Sequence, residues 1–135
     1  MDKALDVRAP LRQVFGVAAR VENLPQLVPH LREVREVAVD RHHWTMGEPP
    51  DHPIEWDTRI TRFGGNRVVA WESLPGSVIK HDGSIRFRPN PDGGTRIGLR
   101  LSYVLPPGPF GERAAALARA DGIDDALRRW KGSLE

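Results

Sequence analysis

The most constraining feature of this sequence is a run of alternating apolar and polar residues between positions 71 and 103. It falls into three segments, at 71–77, 83–87 and 95–103, which are separated by turn formers such as Asn90-Pro-Asp-Gly-Gly94. Because side chains alternate between the two faces of a strand, the pattern predicts an antiparallel sheet with one apolar face. The opposite face carries a row of arginines, namely Arg86, Arg88, Arg96 and Arg100. The apolar face needs a cover, which the rest of the chain has to supply.

The N-terminal part of the chain predicts a strand, two short helices and a hairpin. A short strand is expected at 4–9, and apolar residues three and four positions apart predict an amphipathic helix at 11–21. Asn23 is expected to cap a short helical turn after it. A hairpin at 34–46 is then expected to turn at Asp40-Arg41.

The C-terminal part completes the sheet and supplies its cover. Strands at 54–61 and 67–73 lead into the alternating run, and the spacing becomes helical after Pro109, with a break expected at Asp121-Gly122. The order is one strand, two short helices, about six further strands and a terminal helix. It predicts an α+β fold in which a curved antiparallel sheet wraps around the C-terminal helix.

Composition restricts the class of protein and its partners. A chain of 135 residues suits one domain at 1–135. Its net charge is only +2, and its basic residues are interleaved with acids, which argues against nucleic-acid binding. Cysteine is absent, and the apolar stretch at 14–19 is too short for a signal core or a membrane span. We therefore expect a soluble cytoplasmic protein that is not embedded in a membrane.

Ordered fragments along the whole chain resemble one known family. They are Val21-Glu-Asn-Leu-Pro25, Pro29-His-Leu-Arg-Glu-Val34, Glu55-Trp-Asp57, Ala70-Trp71, Ser73-Leu-Pro-Gly-Ser77, Gly83-Ser-Ile-Arg-Phe87, Gly94-Thr95, Leu101-Ser-Tyr103 and Arg128-Arg-Trp-Lys131. In this order they resemble the polyketide cyclase/dehydrase branch of the START-like (SRPBCC) superfamily. The resemblance implies the helix-grip fold and, between sheet and helix, a cavity for a hydrophobic molecule.

The residues expected to face the helix form a large apolar set with a few polar groups. Aromatic walls with sparse hydrogen-bonding groups are typical of pockets for flat hydrophobic ligands, whereas the same residues also suit a filled core. The expected ligand-binding residues are Trp44, Met46, Trp56, Thr58, Trp71, Ser73, Ile85, Phe87, Leu99, Leu101, Leu127 and Trp130.

Two residues are candidates for proton transfer or substrate polarisation. His81 is expected to face inward, and imidazole titrates near neutrality. Tyr103 is the only tyrosine and is expected to offer a hydrogen bond to a ligand carbonyl. Each also has a structural alternative, His81 as a hydrogen-bonded core residue and Tyr103 as a seal at the strand end, because no second catalytic group is identifiable beside either.

Other combinations of polar residues give weaker signals. Glu55 and Asp57 share the outward face with Arg59, which favours cross-strand ion pairs over paired-carboxylate catalysis. His42 and His43 are adjacent on a strand and point to opposite faces, so no metal site is predicted. No glycine pair opens a helix after a strand as a phosphate loop would, and we expect no cofactor.

Three functions remain open at this stage. The first is an enzyme that constrains an aromatic or polyketide-like substrate, as a cofactor-independent cyclase or dehydrase would. The second is a non-catalytic carrier of a quinone or lipid, for which the same walls suffice. The third is an interaction module with a filled core, whose arginine face docks an acyl-carrier or other protein partner.

Overall fold

A seven-stranded antiparallel sheet forms the body of the protein in the computed structural model, which describes residues 1–47, 52–118 and 122–135. The strands are β1 (Asp2–Val7), β2 (Leu31–Ala38), β3 (Arg41–Met46), β4 (Ile54–Gly64), β5 (Val68–Ser73), β6 (Lys80–Pro89) and β7 (Thr95–Val104). Their order across the sheet is β1-β7-β6-β5-β4-β3-β2. Every neighbouring pair except β1–β7 is consecutive in sequence, which is the meander that the sequence predicts.

Among the described residues, four helical segments accompany the sheet. They are α1 (Leu11–Ala18), a 3-10 helix (Val21–Gln26), α2 (Pro109–Leu117) and α3 (Ile123–Leu134). The α+β class and the helix-grip arrangement expected from the sequence are confirmed: the curved sheet holds its apolar face toward the C-terminal helices.

The alternation of apolar and polar residues in the sequence matches the alternation of buried and more exposed residues in the central strands. In β6, the residues from His81 to Phe87 are buried at every second position, and in β7 the same holds from Thr95 to Leu101. The apolar residues among them, the apolar side of α1 and the apolar side of α3 belong to one hydrophobic core. Removing this apolar surface from water is the main favourable term in the stability of such a fold.

Helix α3 is joined to the edge of the sheet at both of its ends. Near its start, Lys3 Nζ lies 3.0 Å from Asp124 Oδ1, and at its end Glu135 Oε2 accepts a hydrogen bond of 2.8 Å from the backbone N–H of Arg8. The buried residues of α3 are Ile123, Ala126, Leu127, Trp130 and Leu134, which follow the helical period. The helix therefore lies against β1, with its apolar side in the core.

Several local expectations from the sequence need correction. The first strand runs from Asp2 to Val7, two residues earlier than expected, and α1 ends at Ala18. Asn23 lies inside the 3-10 helix and donates through Nδ2 to Val17 O at 3.0 Å, so it does not cap this segment.

The β2–β3 hairpin turns at Val39-Asp40, with Asp40 at a φ of 58°, one residue before the expected turn. Of the expected break at Asp121-Gly122, Asp121 lies outside the described residues, and Gly122, with a φ of 82°, immediately precedes α3. In the part of the chain that is described, each helix is too short or too polar to cross a bilayer.

Candidate functional site

Five ring-bearing residues meet on the apolar face of the sheet and form an aromatic cluster: Trp44, Trp56, Trp71, His81 and Tyr103. Trp44 lies between Trp56 and Trp71, with ring centroids 5.6 and 5.8 Å away. His81 and Tyr103 stack at 4.5 Å. Such contacts stabilise aromatic pairs beyond the area they bury, so the cluster is a rigid unit at the centre of the sheet.

Both ring nitrogens of His81 are engaged. Trp71 Nε1–H donates to His81 Nε2 at 2.9 Å, and because an indole nitrogen can only donate, Nε2 must be the unprotonated nitrogen. His81 Nδ1 therefore carries the proton and donates it to Ser102 O at 2.9 Å. Burial lowers the pKa of His81 to about 4, although the carbonyl of Ser102 opposes this shift. The imidazole is neutral near pH 7 and has no free nitrogen for a substrate.

The backbone and small side chains fit closely around this cluster. Ser73 Oγ accepts a hydrogen bond from the backbone N–H of His81 at 3.0 Å, and Thr58 Oγ1 accepts one from Trp44 Nε1 at 2.7 Å. Gly83, directly opposite Trp71 in the neighbouring strand, leaves the space for the indole ring. A Cβ placed on Gly83 would lie 2.4 Å from Trp71 Cζ2, so a larger residue cannot be accommodated without moving the ring.

Two polar atoms in the aromatic cluster have no hydrogen-bond partner among the described residues. They are Trp56 Nε1 and Tyr103 Oη, both buried. An unpaired buried polar group costs about 1–3 kcal/mol relative to a paired one. The same burial raises the pKa of Tyr103, so its hydroxyl stays protonated and available as a donor. Tyr103 and Trp56 lie edge to face, with centroids 6.2 Å apart.

Tyr103 borders a hollow of about 330 Å³. Its other lining residues are mostly apolar and come from the N-terminus, from β7, from the segment before β2 and from the region of α2 and α3: Met1, Val28, Pro29, Leu101, Ser102, Ala118 and Ile123. This volume lies at the lower end of the range for small-molecule sites. Tyr103 thus belongs both to the lining of the hollow and to the aromatic cluster, where its hydroxyl is buried and has no partner among the described residues.

The residues expected to bind ligand fall into two groups. Leu101 and Tyr103 border the hollow. The others do not line it: Trp44, Met46, Trp56, Thr58, Trp71, Ile85, Phe87, Leu99, Leu127 and Trp130 are buried in the core, and Ser73 and His81 border a shallow depression of about 260 Å³ near the β5–β6 connection. Their role as ligand contacts stays a prediction, and so does catalysis by His81 or Tyr103.

The outward face of the sheet carries the cross-strand ion pairs that the sequence predicts. Asp57 and Glu55 of β4 contact His43 of β3, through Nδ1 at 2.6 Å and Nε2 at 3.1 Å, and Arg59 of β4 pairs with Glu72 of β5. The partners come from the two neighbouring strands, which the sequence alone does not identify.

The arginine row also lies on the outward face. Arg96 and Arg100 pair with Asp6 and Asp2 of β1, and Arg86 and Arg88 are exposed. The row is therefore separated from the aromatic cluster by the thickness of the sheet.

The structure brings together one group of polar residues that the sequence does not predict. Glu22 in the 3-10 helix, Glu36 in β2 and His42 in β3 place one donor atom each within 4.8 Å of one another. The group arises because a register shift in the hairpin pairs Glu36 with His42. Alternation along β3 predicts that His42 faces inward, but the sequence spacing gives no sign of the two glutamates beside it.

Comparisons with known proteins agree on the family and the fold. A family model described as polyketide cyclase / dehydrase and lipid transport matches residues 7–129. A protein of Deinococcus radiodurans is 31% identical, with a TM-score of 0.77, and the match covers 96% of this chain and 92% of that chain. No curated protein sequence matches significantly.

Two more distant structures show the fold alone. A START superfamily protein of Mycobacterium smegmatis is 17% identical with a TM-score of 0.65, and the match covers 100% of this chain and 98% of that one. The di-domain ARO/CYC StfQ from the steffimycin biosynthetic pathway is 14% identical with a TM-score of 0.62, and the match covers 99% of this chain and 50% of that one.

Proposed function

The chain belongs to the polyketide cyclase / dehydrase and lipid transport family, and we propose that it binds a hydrophobic or aromatic small molecule that carries a carbonyl oxygen. The observation that carries this proposal is the Tyr103 hydroxyl, which is buried without a partner among the described residues and belongs to a residue that borders the hollow. A carbonyl oxygen of the ligand would accept the hydrogen bond that this hydroxyl can donate.

The geometry favours binding over acid–base catalysis. A general base needs a free basic atom within reach of the substrate, whereas both nitrogens of His81 are engaged and its pKa is lowered by burial. Tyr103 keeps its proton near neutral pH because burial raises its pKa. A carrier of a quinone, a lipid or a polyketide-like molecule therefore fits the site best.

A cyclase or dehydrase is the second candidate. The observation in its favour is that the unpaired Tyr103 hydroxyl would also stabilise negative charge developing on a carbonyl oxygen during enolisation. In that case the apolar wall would hold a flexible chain in a reactive conformation, and Tyr103 would polarise its carbonyl. The arginine face is the surface on which we expect an acidic partner, such as an acyl-carrier protein, to dock.

A pair of probes with and without carbonyl oxygens tests the proposed binding. We expect anthraquinone to quench the tryptophan fluorescence of the wild-type protein at lower concentration than anthracene, which has the same ring skeleton. Tyr103→Phe should weaken the binding of anthraquinone about three- to tenfold, the value of one hydrogen bond, and leave anthracene unchanged.

The unliganded variant supplies the control. Because the hydroxyl has no partner in the described structure, Tyr103→Phe should unfold in urea at the same concentration as wild type or a higher one. Equal affinity of both proteins for anthraquinone would remove the basis of the proposal. Turnover of a polyketide-like substrate that is lost in Tyr103→Phe while binding persists would support the cyclase.

A further inference from the structure

A cluster of possible metal ligands lies on the inner side of the β2–β3 hairpin, away from the hollow. Its members are Glu22 of the 3-10 helix, Glu36 of β2 and His42 of β3, and we refer to them as the hairpin triad. Each offers one donor atom, and these atoms lie within 4.8 Å of one another. We propose that the hairpin triad binds a first-row divalent transition metal ion such as Zn²⁺.

The imidazole of His42 is positioned as a ligand would be. Its side chain is only 4% exposed, and its Nε2 points at Glu22 Oε1, 2.5 Å away. Its other nitrogen, Nδ1, is buried and has no partner among the described residues. In the structure Nε2 donates a hydrogen bond to the Glu22 carboxylate, and a metal ion bound by both groups would replace that hydrogen.

The charges of the hairpin triad are poorly balanced by the described residues. Glu22 contacts His42 Nε2 and has Arg20 Nε 3.7 Å from its Oε2, whereas Glu36 forms no ion pair with the other described residues. Two carboxylates whose oxygens lie this close repel each other. A divalent cation would offset both charges at once.

The donor set indicates the class of metal. Calcium and magnesium prefer ligand sets made of oxygen alone, whereas imidazole nitrogen together with carboxylate oxygen suits Zn²⁺ and its neighbours in the first transition row. Ligands at about 2.0–2.2 Å from a tetrahedral metal ion lie about 3.4 Å from one another, with a fourth position left for water. His42 Nε2 and Glu22 Oε1, now 2.5 Å apart, would therefore separate to admit the ion. Glu36 is exposed and Glu22 is partly exposed, so the ion can reach the triad from solvent.

The triad would couple three elements. The 3-10 helix packs against β2, and a metal ion bound by Glu22, Glu36 and His42 would add a link between that helix and both strands of the hairpin. Such an ion binds the folded chain only, so it raises stability with its concentration.

Titration of the chelator-treated protein with Zn²⁺ tests the proposal. By calorimetry we expect one ion per chain at micromolar concentration or below, and by absorption we expect Co²⁺ to develop visible bands in place of Zn²⁺. Glu36→Gln removes a ligand from an exposed position, so the fold is retained, and it should weaken Zn²⁺ binding at least tenfold. Glu33→Gln changes an exposed glutamate of the same strand outside the triad and should bind like wild type.

Thermal unfolding gives a second measurement. The melting temperature of wild type and of Glu33→Gln should rise with the logarithm of the Zn²⁺ concentration, and that of Glu36→Gln should rise much less. Binding that is equally tight in Glu36→Gln would assign the ion to the other histidines and overturn the proposal. The absence of any binding to wild type would overturn it as well.

Discussion

Single residues decide which polar atoms of the aromatic cluster are available to a ligand. His81 is satisfied on both sides by Trp71 and Ser102, and Trp44 is satisfied by Thr58. Tyr103 and Trp56 lie in the same cluster with polar atoms that have no partner among the described residues. Among these residues, His81 has the side chain whose pKa in water is nearest neutrality, yet the structure keeps it uncharged. The polar groups of the cluster that lack a partner are therefore those of Tyr103 and Trp56.

The neutral His81 predicts a dependence of stability on pH. The unfolded chain binds a proton at this histidine near pH 6.5, whereas the folded chain binds it only near pH 4. Between these values the unfolded state holds more protons, so the free energy of unfolding falls as the pH falls through this window. The contribution lost between pH 7 and pH 5 is about 2 kcal/mol.

Urea unfolding of wild type and His81→Gln at pH 7 and pH 5 measures the contribution of His81 to this loss of stability. Glutamine does not titrate, so the variant should be less stable at pH 7 and lose about 2 kcal/mol less on acidification. An identical loss in both proteins would show that other groups cause the acid sensitivity.

Gly83 offers a second prediction at the scale of one residue. A methyl group at this position would overlap the Trp71 ring, and we expect Gly83→Ala to lower the free energy of unfolding by about 1–3 kcal/mol. Gly98 in β7 has no atom within 4 Å of such a methyl group, so Gly98→Ala is the matched control and should change stability by less than about 0.5 kcal/mol. Urea titration compares the two, and equal losses would contradict the role of Trp71.

At the scale of elements, the C-terminal helix depends on its apolar side. Leu127 is 7% exposed, and Arg129, two residues later, is exposed. The hydrophobic period of α3 is visible in the sequence, and so is its side of contact with the sheet.

We expect Leu127→Ala to lower the free energy of unfolding by about 2–5 kcal/mol, since it removes buried methyl groups and leaves a cavity in the core. Arg129→Ala should stay within about 0.5 kcal/mol of wild type. Chemical denaturation followed by tryptophan fluorescence measures both changes. A small effect of Leu127→Ala would mean that α3 is bound to the sheet mainly by its polar ends.

The hairpin shows where element-level reasoning from sequence reaches its limit. A two-residue turn at Asp40-Arg41 would set Glu36 opposite Thr45, whereas the observed turn one residue earlier, with a register shift, sets it opposite His42. Alternation along a strand does not specify such a shift, because both registers contain similar polar residues. The hairpin triad therefore depends on the register of β2 against β3, and the alternation of residues along each strand does not specify that register.

At the scale of the whole molecule, the sheet separates two surfaces of different character. Its inner face carries the aromatic cluster, and its outer face carries the arginine row. Arg88 and Arg96 are directly opposite each other in β6 and β7, and Arg96 is also paired with Asp6. Like charges in this position are unfavourable.

Charge reversal at Arg88 should therefore act on one surface only. We expect Arg88→Glu to change the free energy of unfolding by less than about 0.5 kcal/mol, because an opposite pair with Arg96 replaces a like-charge pair while the attraction between Arg88 and Asp6 is lost. The affinity for anthraquinone should stay at the wild-type value, since the proposed site lies on the other side of the sheet. Urea unfolding at low and high salt and fluorescence titration give the two measurements; a changed affinity would mean that the two faces communicate.

The sequence by itself determined the class of this protein, the order of its strands and the side on which each central residue lies. It could do so because strand alternation and helical spacing are local properties of the chain, and the burial of β6, β7 and α3 follows them. Only the tertiary structure decided which polar atoms are paired, because pairing depends on distances between residues far apart in sequence. His81 and Tyr103 look alike as inward-facing polar residues in neighbouring strands, but folding gives both ring nitrogens of His81 a partner and leaves the Tyr103 hydroxyl with none among the described residues.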